Sequence, residues 1–577
     1  MRAIVVLYVV LSAWLLAMPA GIEAQLRKSG LNSKDVSIYI KETGSNGNIV
    51  ATHRQSQSRI PASVIKVMTT YASVLKLGFD YRFPTQFYRS GAVRNGVLEG
   101  DLVIKGFGDP TLRDDDLGDI VQRIKEQGIR KITGNIVIDR SYFDVGSKDN
   151  SGFDKNTYSP YNAMPDGMMF NERISTVCVT PRKNQVSQKT IDGSYKVINR
   201  LKPVNQPCSG RYAWPAVKVD KSTNTPVVSF YGPISSRCGT SNICQVITKP
   251  YLSFYYALKE RLQKSGVTVN GAMRLRTVPQ NATMLFTHYS DPLEAIISTT
   301  AKKSNNLYAR HLMLYLGAQM YGAPARLNKG RNAVVETLKK SGAIEGNIKI
   351  DNGSGLSRTA RITAKELGDM LDDAHTRYGK RWMQTLSIAG VDGTIKRRFA
   401  GSIVSRKAWM KTGTVNGVKN IAGYVQSRSG QLYTVVILVE TKNGTWRGAQ
   451  LQNDIIKWLA GYSGGRLGTK PKAGQKRVQK AVDAPLAATQ TTTSSPVAQE
   501  ASSQQDTRYF VQAGSFEQMP QKDYLLRIER MGLSYKVLEH AGKYKVLVGP
   551  YAAQSPARSA LAKIRQHVSK QAFILKF

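Results

Sequence analysis

The sequence predicts a multidomain α/β protein. Apolar residues recur at helical spacing in residues 61–78 and 291–315, whereas residues 432–439 form a continuous β-branched run that is typical of a buried strand. A chain of 577 residues is too long for a single core and is expected to form roughly two to four domains. The composition changes abruptly after residue 462, which separates the last domain from the rest.

The first 24 residues have the pattern of a secretory signal peptide. Arg2 precedes an apolar run over residues 3–20, and Ala24 supplies a small residue at the expected cleavage point. We therefore expect an exported chain that begins near Gln25. An uncleaved membrane anchor is the alternative, because the run is close to the shortest length that spans a bilayer. No later stretch is as long without charges, so no transmembrane segment is expected in the mature chain.

The chain is strongly basic. It has 82 lysine and arginine residues against 40 aspartate and glutamate residues, which gives a formal net charge of +42. Such a charge favours anionic partners, namely nucleic acid, acidic lipid or a polyanionic polymer of the cell envelope. No basic helix or RNA-binding motif accompanies it, so nucleic acid is not an expected partner.

All cysteines of the chain lie in one region: Cys178, Cys208, Cys238 and Cys244. An even number in an exported chain predicts two disulfides, and the spacing leaves their pairing open. The cysteines form no paired C-x-x-C units and no histidine lies among them. We therefore expect no metal site.

The mature chain is predicted to begin with a hairpin and a helix. Residues 35–42 alternate polar and apolar side chains, and an Asn-Gly turn leads to a second short strand at residues 49–50. The helix that follows is expected to start at Pro61 and to end at Gly78.

Ser63 and Lys66 form the S-x-x-K arrangement of serine acyl-transfer enzymes. Ser63 is expected in the first helical turn, beside free N–H groups and the positive end of the helix dipole. Lys66 lies one turn further on the same face, close enough to take the proton of the serine or to polarise it. By itself the motif is weak, because a solvated helix start gives the same residues, so the rest of the chain has to decide.

Residues 83–286 are predicted to form an inserted, mostly β module. Short β-like runs there alternate with Gly, Pro, Ser and Asn, and the segment contains all the cysteines. The expected elements are strands at residues 91–93, 97–99, 101–105 and 134–139 and helices at residues 115–127 and 251–265.

Helical periodicity returns after this module and then gives way to strands. A helix is predicted from Asp291 through about residue 315, and it contains Ser304-Asn305-Asn306. Three strands and an amphipathic helix follow, at residues 408–414, 420–426, 432–439 and 453–460. Taken separately, Ser304-Asn305-Asn306 is also a typical helix cap, and Lys411-Thr412-Gly413 a typical exposed turn. We predict one discontinuous domain from residues 25–82 and 287–462.

Three motifs occur in a fixed order: Ser63-x-x-Lys66, Ser304-x-Asn306 and Lys411-Thr412-Gly413. The ordered set resembles the penicillin-binding proteins and serine β-lactamases, which implies an α+β transpeptidase domain. Ser63 and Ser304 are 241 positions apart, and this long spacing resembles the class C low-molecular-mass penicillin-binding proteins, the D-alanyl-D-alanine carboxypeptidase/endopeptidase family, in which extra domains follow the nucleophile helix. Residues 106–110, 351–357 and 390–394 also resemble that family.

Hydrolysis of an acyl-D-Ala-D-Ala bond needs a nucleophile, a proton acceptor, an oxyanion site and a cation for the terminal carboxylate. Ser63 is the predicted nucleophile. Lys66 is the predicted base, provided that burial and the charge of Lys411 keep it neutral, and a serine–lysine relay is the alternative. Asn306 is expected to orient Lys66 and to hold the substrate amide, and Ser304 to pass a proton to the leaving amine.

The third motif is expected to bind the carboxylate of the substrate. Lys411 supplies the cation, Thr412 and Thr414 supply hydroxyl groups, and Gly413 belongs to the same substrate-binding stretch. The N–H groups of Ser63 and Thr414 are expected to form the oxyanion hole. No cofactor is predicted.

Residues 463–506 are predicted to be a flexible linker, because they are first Gly-rich and basic and then consist mainly of Ala, Thr, Ser, Gln and Pro. Residues 507–577 regain order, with a predicted βαββαβ series of elements. The stretches Tyr-Phe-Val-Gln-Ala-Gly-Ser-Phe and Val-Gly-Pro-Tyr resemble the sporulation-related repeat (SPOR) domain. This resemblance implies binding to peptidoglycan glycan strands that lack stem peptides.

The glycan-binding surface of that domain would be its sheet face. It would include Gln512, Ser515, Tyr544 and Tyr509. The alternative is that the tyrosines pack in the core.

The resemblances together imply a periplasmic serine DD-carboxypeptidase and DD-endopeptidase that is tethered to glycan. Its expected partners are peptidoglycan stem peptides and glycan strands, with β-lactam antibiotics as inhibitors. A serine β-lactamase-like hydrolase would share the three motifs but should lack the insertion and the glycan module. A catalytically silent wall-binding scaffold should have lost Ser63, Lys66 or Lys411, and all three are present.

Overall fold

The computed structural model describes residues 18–442 and 445–462 and, in the C-terminal part, 509–516, 520, 522–529, 531, 533–540, 543–551, 554–569 and 572–576. The predicted linker and residues 1–17 of the predicted signal peptide lie outside these ranges. The chain divides into two compact units, Met1–Val482 and Asp483–Phe577. Within the described ranges, no helix combines the length and the apolar character needed to cross a membrane.

The α-helices of the described residues are α1 (Ala20–Lys28), α2 (Ile65–Leu77), α3 (Leu117–Glu126), α4 (Pro250–Lys264), α5 (Leu293–Lys302), α6 (Asn306–Tyr321), α7 (Leu327–Lys340), α8 (Ala364–Met383), α9 (Thr445–Gly461), α10 (Lys522–Glu529) and α11 (Gln554–His567). The strands are β1 (Val36–Glu42), β2 (Ile49–His53), β3 (Pro84–Arg94), β4 (Val97–Gly106), β5 (Lys131–Ile132), β6 (Ile136–Asp139), β7 (Ser175–Thr180), β8 (Gln185–Gln188), β9 (Lys196–Val204), β10 (Ala216–Asp220), β11 (Val227–Ser235), β12 (Ser241–Gln245), β13 (Thr268–Val269), β14 (Met273–Leu275), β15 (Thr283–Tyr289), β16 (Ser387–Ile388), β17 (Ala408–Val415), β18 (Val418–Gln426), β19 (Leu432–Glu440), β20 (Tyr509–Phe516), β21 (Tyr535–His540), β22 (Lys543–Tyr551) and β23 (Phe573–Lys576).

An antiparallel sheet in the order β16-β17-β18-β19-β1-β2 organises the first unit. Strand β19 is buried along nearly all its length, because successive side chains point to opposite, covered faces. Val436 and Leu438 join the core formed with α2 and α5–α8. Val435, Ile437 and Val439 join the core formed with α1 and α9. The sheet is therefore covered by helices on both faces.

The residues between α2 and α5 in the sequence contribute a second sheet, which is mixed. Its order is β13-β5-β4-β3-β15, with β6 beside β4 and β14 beside β6, and α3 and α4 share its core. Strands β3 and β4 join through Asn95 and Gly96, whose φ angles of 46° and 80° suit a tight hairpin turn. Two three-stranded sheets, β10-β11-β9 and β12-β7-β8, pack on one small core.

The prediction of two disulfides is wrong for one pair. Cys208 and Cys238 are bonded, whereas Cys178 and Cys244 are free. Cys178 lies opposite Asn242 in the β7–β12 ladder, and Cys244 lies opposite Thr176. The two thiols are therefore offset along the strands instead of facing one another, and this register leaves them unbonded.

The single helix predicted from Asp291 is also wrong in part. The structure has two helices, α5 and α6, with a break at residues 303–305. Ser304 has a φ of 55°, which no helical residue adopts, and the side chain of Asn305 caps α6 by accepting a hydrogen bond from Tyr308 N at 3.1 Å. The break places the Ser304-x-Asn306 motif in a turn.

The C-terminal unit has the predicted βαββαβ order. Its sheet is antiparallel, in the order β21-β22-β20-β23. Apolar residues of α10 and α11 share one core with alternate residues of β20 and β22. Such alternation buries one face of a sheet under helices.

Candidate active site

The nucleophile segment is anchored to the central sheet before the helix starts. Ser63 lies in a 3₁₀ turn, Ala62–Val64, so the first turn of the predicted helix is 3₁₀ and the α-helix proper begins at Ile65. The side chain of Asn420, on β18, is buried and donates to Ile60 O at 2.9 Å and to Pro61 O at 2.8 Å, and its own oxygen accepts from Val439 N. Sequence reasoning placed Asn420 only on a strand.

Strand β17 runs directly against this turn at Gly413. A Cβ atom at this position would lie 2.8 Å from Pro61 O and 3.0 Å from the backbone nitrogen atoms of Ser63 and Val64. Any larger residue would push the strand away, so the glycine allows the backbone of the third motif to lie beside the nucleophile.

Lys66 is fully buried and has three polar neighbours. Its Nζ lies 2.8 Å from Ser63 Oγ, 2.6 Å from Asn306 Oδ1 and 2.5 Å from Ser354 O. Burial first, and then the charges of Lys411 and Arg310, hold the pKa of Lys66 well below its ordinary value of 10.5. The neutral amine is thereby favoured.

The neighbours of Lys66 determine how a neutral amine is oriented. It has two N–H groups and one lone pair, and Asn306 Oδ1 and Ser354 O can only accept hydrogen bonds. These two oxygens take the N–H groups, which leaves the lone pair directed at the hydroxyl of Ser63. In this arrangement Lys66 can accept the proton of the Ser63 hydroxyl.

Ser354 is a site residue that sequence reasoning missed. It belongs to a tight loop in which Asn352 Nδ2 donates to Leu356 O at 2.9 Å and Asn352 Oδ1 accepts from Ser354 N at 3.1 Å. Gly355 has a φ of 80°, and a Cβ there would lie 1.9 Å from Ala62 O. The glycine-rich pattern of residues 351–357 was the available signal, but it could not show that a backbone carbonyl faces Lys66.

Lys411 forms a second polar cluster. It is fully buried, and its Nζ donates to Ser304 Oγ at 2.9 Å and to Thr412 O at 2.6 Å. Burial lowers the pKa of Lys411 from 10.5 to about 7. Nearer the surface, Thr412 Oγ1 donates to Thr394 Oγ1 at 2.9 Å, and the exposed Thr414 accepts from Lys419 Nζ at 3.1 Å.

The turn between α5 and α6 connects the two clusters. Asn306 contacts Lys66, and Ser304, two residues earlier, contacts Lys411. Among the hydrogen bonds of the described residues, none joins Ser304 to Lys66 or to Ser63, so the predicted proton relay is not a continuous hydrogen-bonded chain here. All five predicted catalytic residues nevertheless converge on one site.

The four residues predicted to bind glycan lie on two neighbouring strands of the C-terminal unit. Ser515 is exposed, and Gln512 and Tyr544 are half-buried. Tyr509 packs partly against the core beneath the sheet, as the alternative for the tyrosines anticipated.

These features define a serine acyl-transfer enzyme with a lysine beside its nucleophile. The model of the D-Ala-D-Ala carboxypeptidase 3 (S13) family matches residues 18–462, and the SPOR domain model matches residues 505–576. The chain therefore belongs to the S13 family and is a serine-type D-Ala-D-Ala carboxypeptidase with a C-terminal SPOR domain. The resemblance to this family and the predicted multidomain α/β fold are confirmed.

Individual relatives agree with this assignment. The chain is 28% identical over 451 residues to the D-alanyl-D-alanine carboxypeptidase DacB of Haemophilus influenzae, covering 75% of this chain and 87% of that protein. It is 27% identical over 465 residues to a D-alanyl-D-alanine carboxypeptidase of Actinomadura sp., covering 77% and 84%. The crystal structure of penicillin-binding protein 4 from H. influenzae has the same fold, with a TM-score of 0.64 at 24% identity over 76% of this chain and 99% of that one.

Proposed function

We propose that this carboxypeptidase cleaves both D-Ala-D-Ala termini and peptidoglycan cross-links through an acyl-enzyme on Ser63. One observation carries the proposal: the buried Lys66 is held 2.8 Å from Ser63 Oγ, with two acceptor-only groups occupying its N–H bonds. No carboxylate is among these neighbours, so no anion offsets the effect of burial on the charged form of Lys66.

The proposed acylation begins with transfer of the Ser63 proton to Lys66 Nζ as Ser63 Oγ attacks the carbonyl carbon of the penultimate D-Ala. The N–H groups of Ser63 and Thr414 stabilise the oxyanion, which the close approach at Gly413 supports. The C–N bond then breaks as the leaving amine takes the proton that Lys66 accepted, and a relay through Ser304 requires its hydroxyl to move first from Lys411 into hydrogen-bond reach of Lys66. Water hydrolyses the ester on Ser63 and returns a proton to its oxygen.

Lys411 is proposed to bind the carboxylate of the leaving residue. Its ammonium form has three N–H groups, of which two are used by Ser304 Oγ and Thr412 O, so one remains for a ligand. Thr412 and Thr414 add hydroxyl groups beside it. A bound carboxylate raises the pKa of this lysine and so keeps it charged.

The same geometry suits a cross-link. Both substrates present a D-Ala carbonyl to the nucleophile, and in a cross-link whose amine lies on a carbon that also carries a carboxylate, both expel the same kind of amine. The site requirements on the two sides of the broken bond are therefore alike, which supports a combined carboxypeptidase and endopeptidase activity.

We also propose a periplasmic protein tethered to the wall. The apolar segment before Ala24 supports export, and the Cys208–Cys238 disulfide is typical of an oxidising compartment. Helix α1 extends across the proposed cleavage point. The exposed Ser515 and the half-buried Gln512 and Tyr544 are the proposed glycan contacts.

Mass spectrometry after exposure to penicillin tests the nucleophile. We expect a long-lived penicilloyl adduct on the peptide that contains Ser63, its loss in Ser63→Ala, and its retention in Ser56→Ala, an exposed serine nearby. A Ser63→Ala variant that still labels would contradict the proposal. Rapid loss of the adduct with turnover of penicillin would instead favour the β-lactamase-like alternative, and purified cross-linked muropeptides test the endopeptidase activity directly.

A further inference from the structure

An unusual turn contacts Asn305, the residue that caps the N-terminal end of α6. Three consecutive residues, Asn171, Glu172 and Arg173, have φ angles of 48°, 53° and 58°. This left-handed region is rarely adopted by residues other than glycine, asparagine and aspartate, and single instances are the rule. Such a conformation persists only where the surroundings enforce it, and it occurs preferentially at functional sites.

Contacts on both sides hold the turn. Asn171 Oδ1 accepts from Asp114 N at 3.0 Å, and Asn171 N donates to Leu112 O at 3.0 Å. Arg173 is buried, donates to Met164 O and forms an ion pair with Asp149. Glu172, between them, is therefore presented in one fixed direction.

The carboxylate of Glu172 uses both oxygens. Oε1 accepts from Arg113 Nη2 at 2.8 Å and from Tyr308 OH at 3.1 Å, and Oε2 accepts from Asn305 Nδ2 at 2.9 Å. Arg113 Nη2 also donates to Tyr308 OH at 2.6 Å. The result is a closed network with two oxygens and three donor groups.

Asn305 is the middle residue of the Ser304-x-Asn306 motif. Its amide is fixed at both ends, because Oδ1 caps α6 through Tyr308 N while Nδ2 binds Glu172. Ser304 on one side contacts Lys411, and Asn306 on the other contacts Lys66. The position of this amide therefore sets both clusters of the site.

We propose that Glu172 is a positioning residue, which acts through Asn305 to hold Ser304 and Asn306 against the two active-site lysines. This inference rests on the proposed function. Glu172 touches no reacting atom, so its effect is on geometry, and a displacement of about 1 Å at a site of this kind can reduce a rate by roughly 10²-fold.

Helix α6 has other contacts with the segment that precedes Glu172, and these allow the effect of Glu172 on positioning to be separated from its effect on folding. Asn306 Nδ2 donates to Tyr161 O at 3.0 Å, and Arg310 donates to Ala163 O. These hydrogen bonds keep α6 attached to residues 161–163 when Glu172 is replaced. We therefore expect Glu172→Ala to fold and to retain its active sites.

The test measures acylation by a fluorescent penicillin in Glu172→Ala, Glu172→Gln and Glu172→Asn. The amplitude of labelling counts the competent active sites, and the first-order rate constant for acylation at saturating penicillin reports how well the reacting groups are positioned. We expect unchanged amplitudes and a first-order constant about 10-fold or more lower in the Ala and Asn variants. Glutamine keeps one acceptor oxygen and should fall less. Asparagine tolerates the left-handed conformation but is too short to reach Asn305, so it separates the contact from the turn.

Two results would overturn the inference. One is a first-order constant in Glu172→Ala and Glu172→Asn equal to that of Glu126→Ala, a control at an exposed carboxylate. The other is a loss of amplitude with an unchanged constant, since that indicates a merely structural role. Labelling that survives in Ser63→Ala would instead contradict the proposed function, so the two failures are distinguishable.

Discussion

The surroundings of Lys66 and Lys411 differ in a way that separates their proposed roles. Both are fully buried, so burial lowers the pKa of each. Lys66 also has two cations nearby, Lys411 and Arg310, and its Nζ contacts three protein oxygens. Lys411 has two protein acceptors and keeps one N–H group for a ligand. This difference supports the two proposed roles, with Lys66 as the base and Lys411 as the cation that binds the carboxylate.

The largest expected effect follows from the base. Lys66→Ala should lower the acylation rate constant by about 10³-fold or more, because general base catalysis contributes about 10²–10⁴-fold and the half-buried Ser63 hydroxyl keeps only Ser354 O, a weakly basic carbonyl oxygen 3.5 Å away, as an acceptor. Stopped-flow acylation measures this. Lys76→Ala, at an exposed position on the same helix, is the control. A fall of less than about 10-fold would remove Lys66 from the role of base.

The carboxylate-binding role predicts a smaller and more selective loss. Lys411→Ala should lower kcat/KM for a peptide ending in D-Ala-D-Ala by about 10²-fold, in the range expected for a lost electrostatic contact. The same peptide with an amidated C-terminus should be equally poor for parent and variant, because it lacks the carboxylate. Lys457→Ala, on the exposed side of α9, is the control. Equal losses on both peptides would place the carboxylate elsewhere.

Removal of residues 463–577 should have the smallest effect on chemistry. No residue of the three active-site motifs lies beyond Thr414, so turnover of a small D-Ala-D-Ala peptide should change by less than about two-fold. Retention on sacculi should fall, because a tethered second site raises the effective concentration of the enzyme at the wall. Retention should be measured on sacculi stripped of stem peptides and at raised salt, because salt screens the nonspecific attraction between the basic chain and the anionic wall. Equal retention of both forms would contradict the tethering role.

The sequence predicted those parts of the site that depend on short segments. Ser63 and Lys66 are one helical turn apart, and Lys411 lies on a strand with a clear pattern, so local spacing was sufficient. Ser354 contacts Lys66 across 288 positions of the sequence and Glu172 contacts Asn305 across 133, and no local pattern encodes such contacts. The break at Ser304 was missed because the apolar spacing continues through it, and the unbonded cysteines depend on strand register.

The pH dependence of acylation tests the opposite protonation states of the two lysines most directly. The second-order rate constant for acylation, which reports on the free enzyme, should have two limbs. It should fall at low pH because Lys66 becomes protonated, and it should also fall as the pH rises through about 7 because Lys411 loses its charge. In Lys411→Arg the guanidinium stays charged, so the alkaline limb should disappear while the acid limb remains. Persistence of the alkaline limb in a folded Lys411→Arg variant would contradict the assignment of the cation to Lys411.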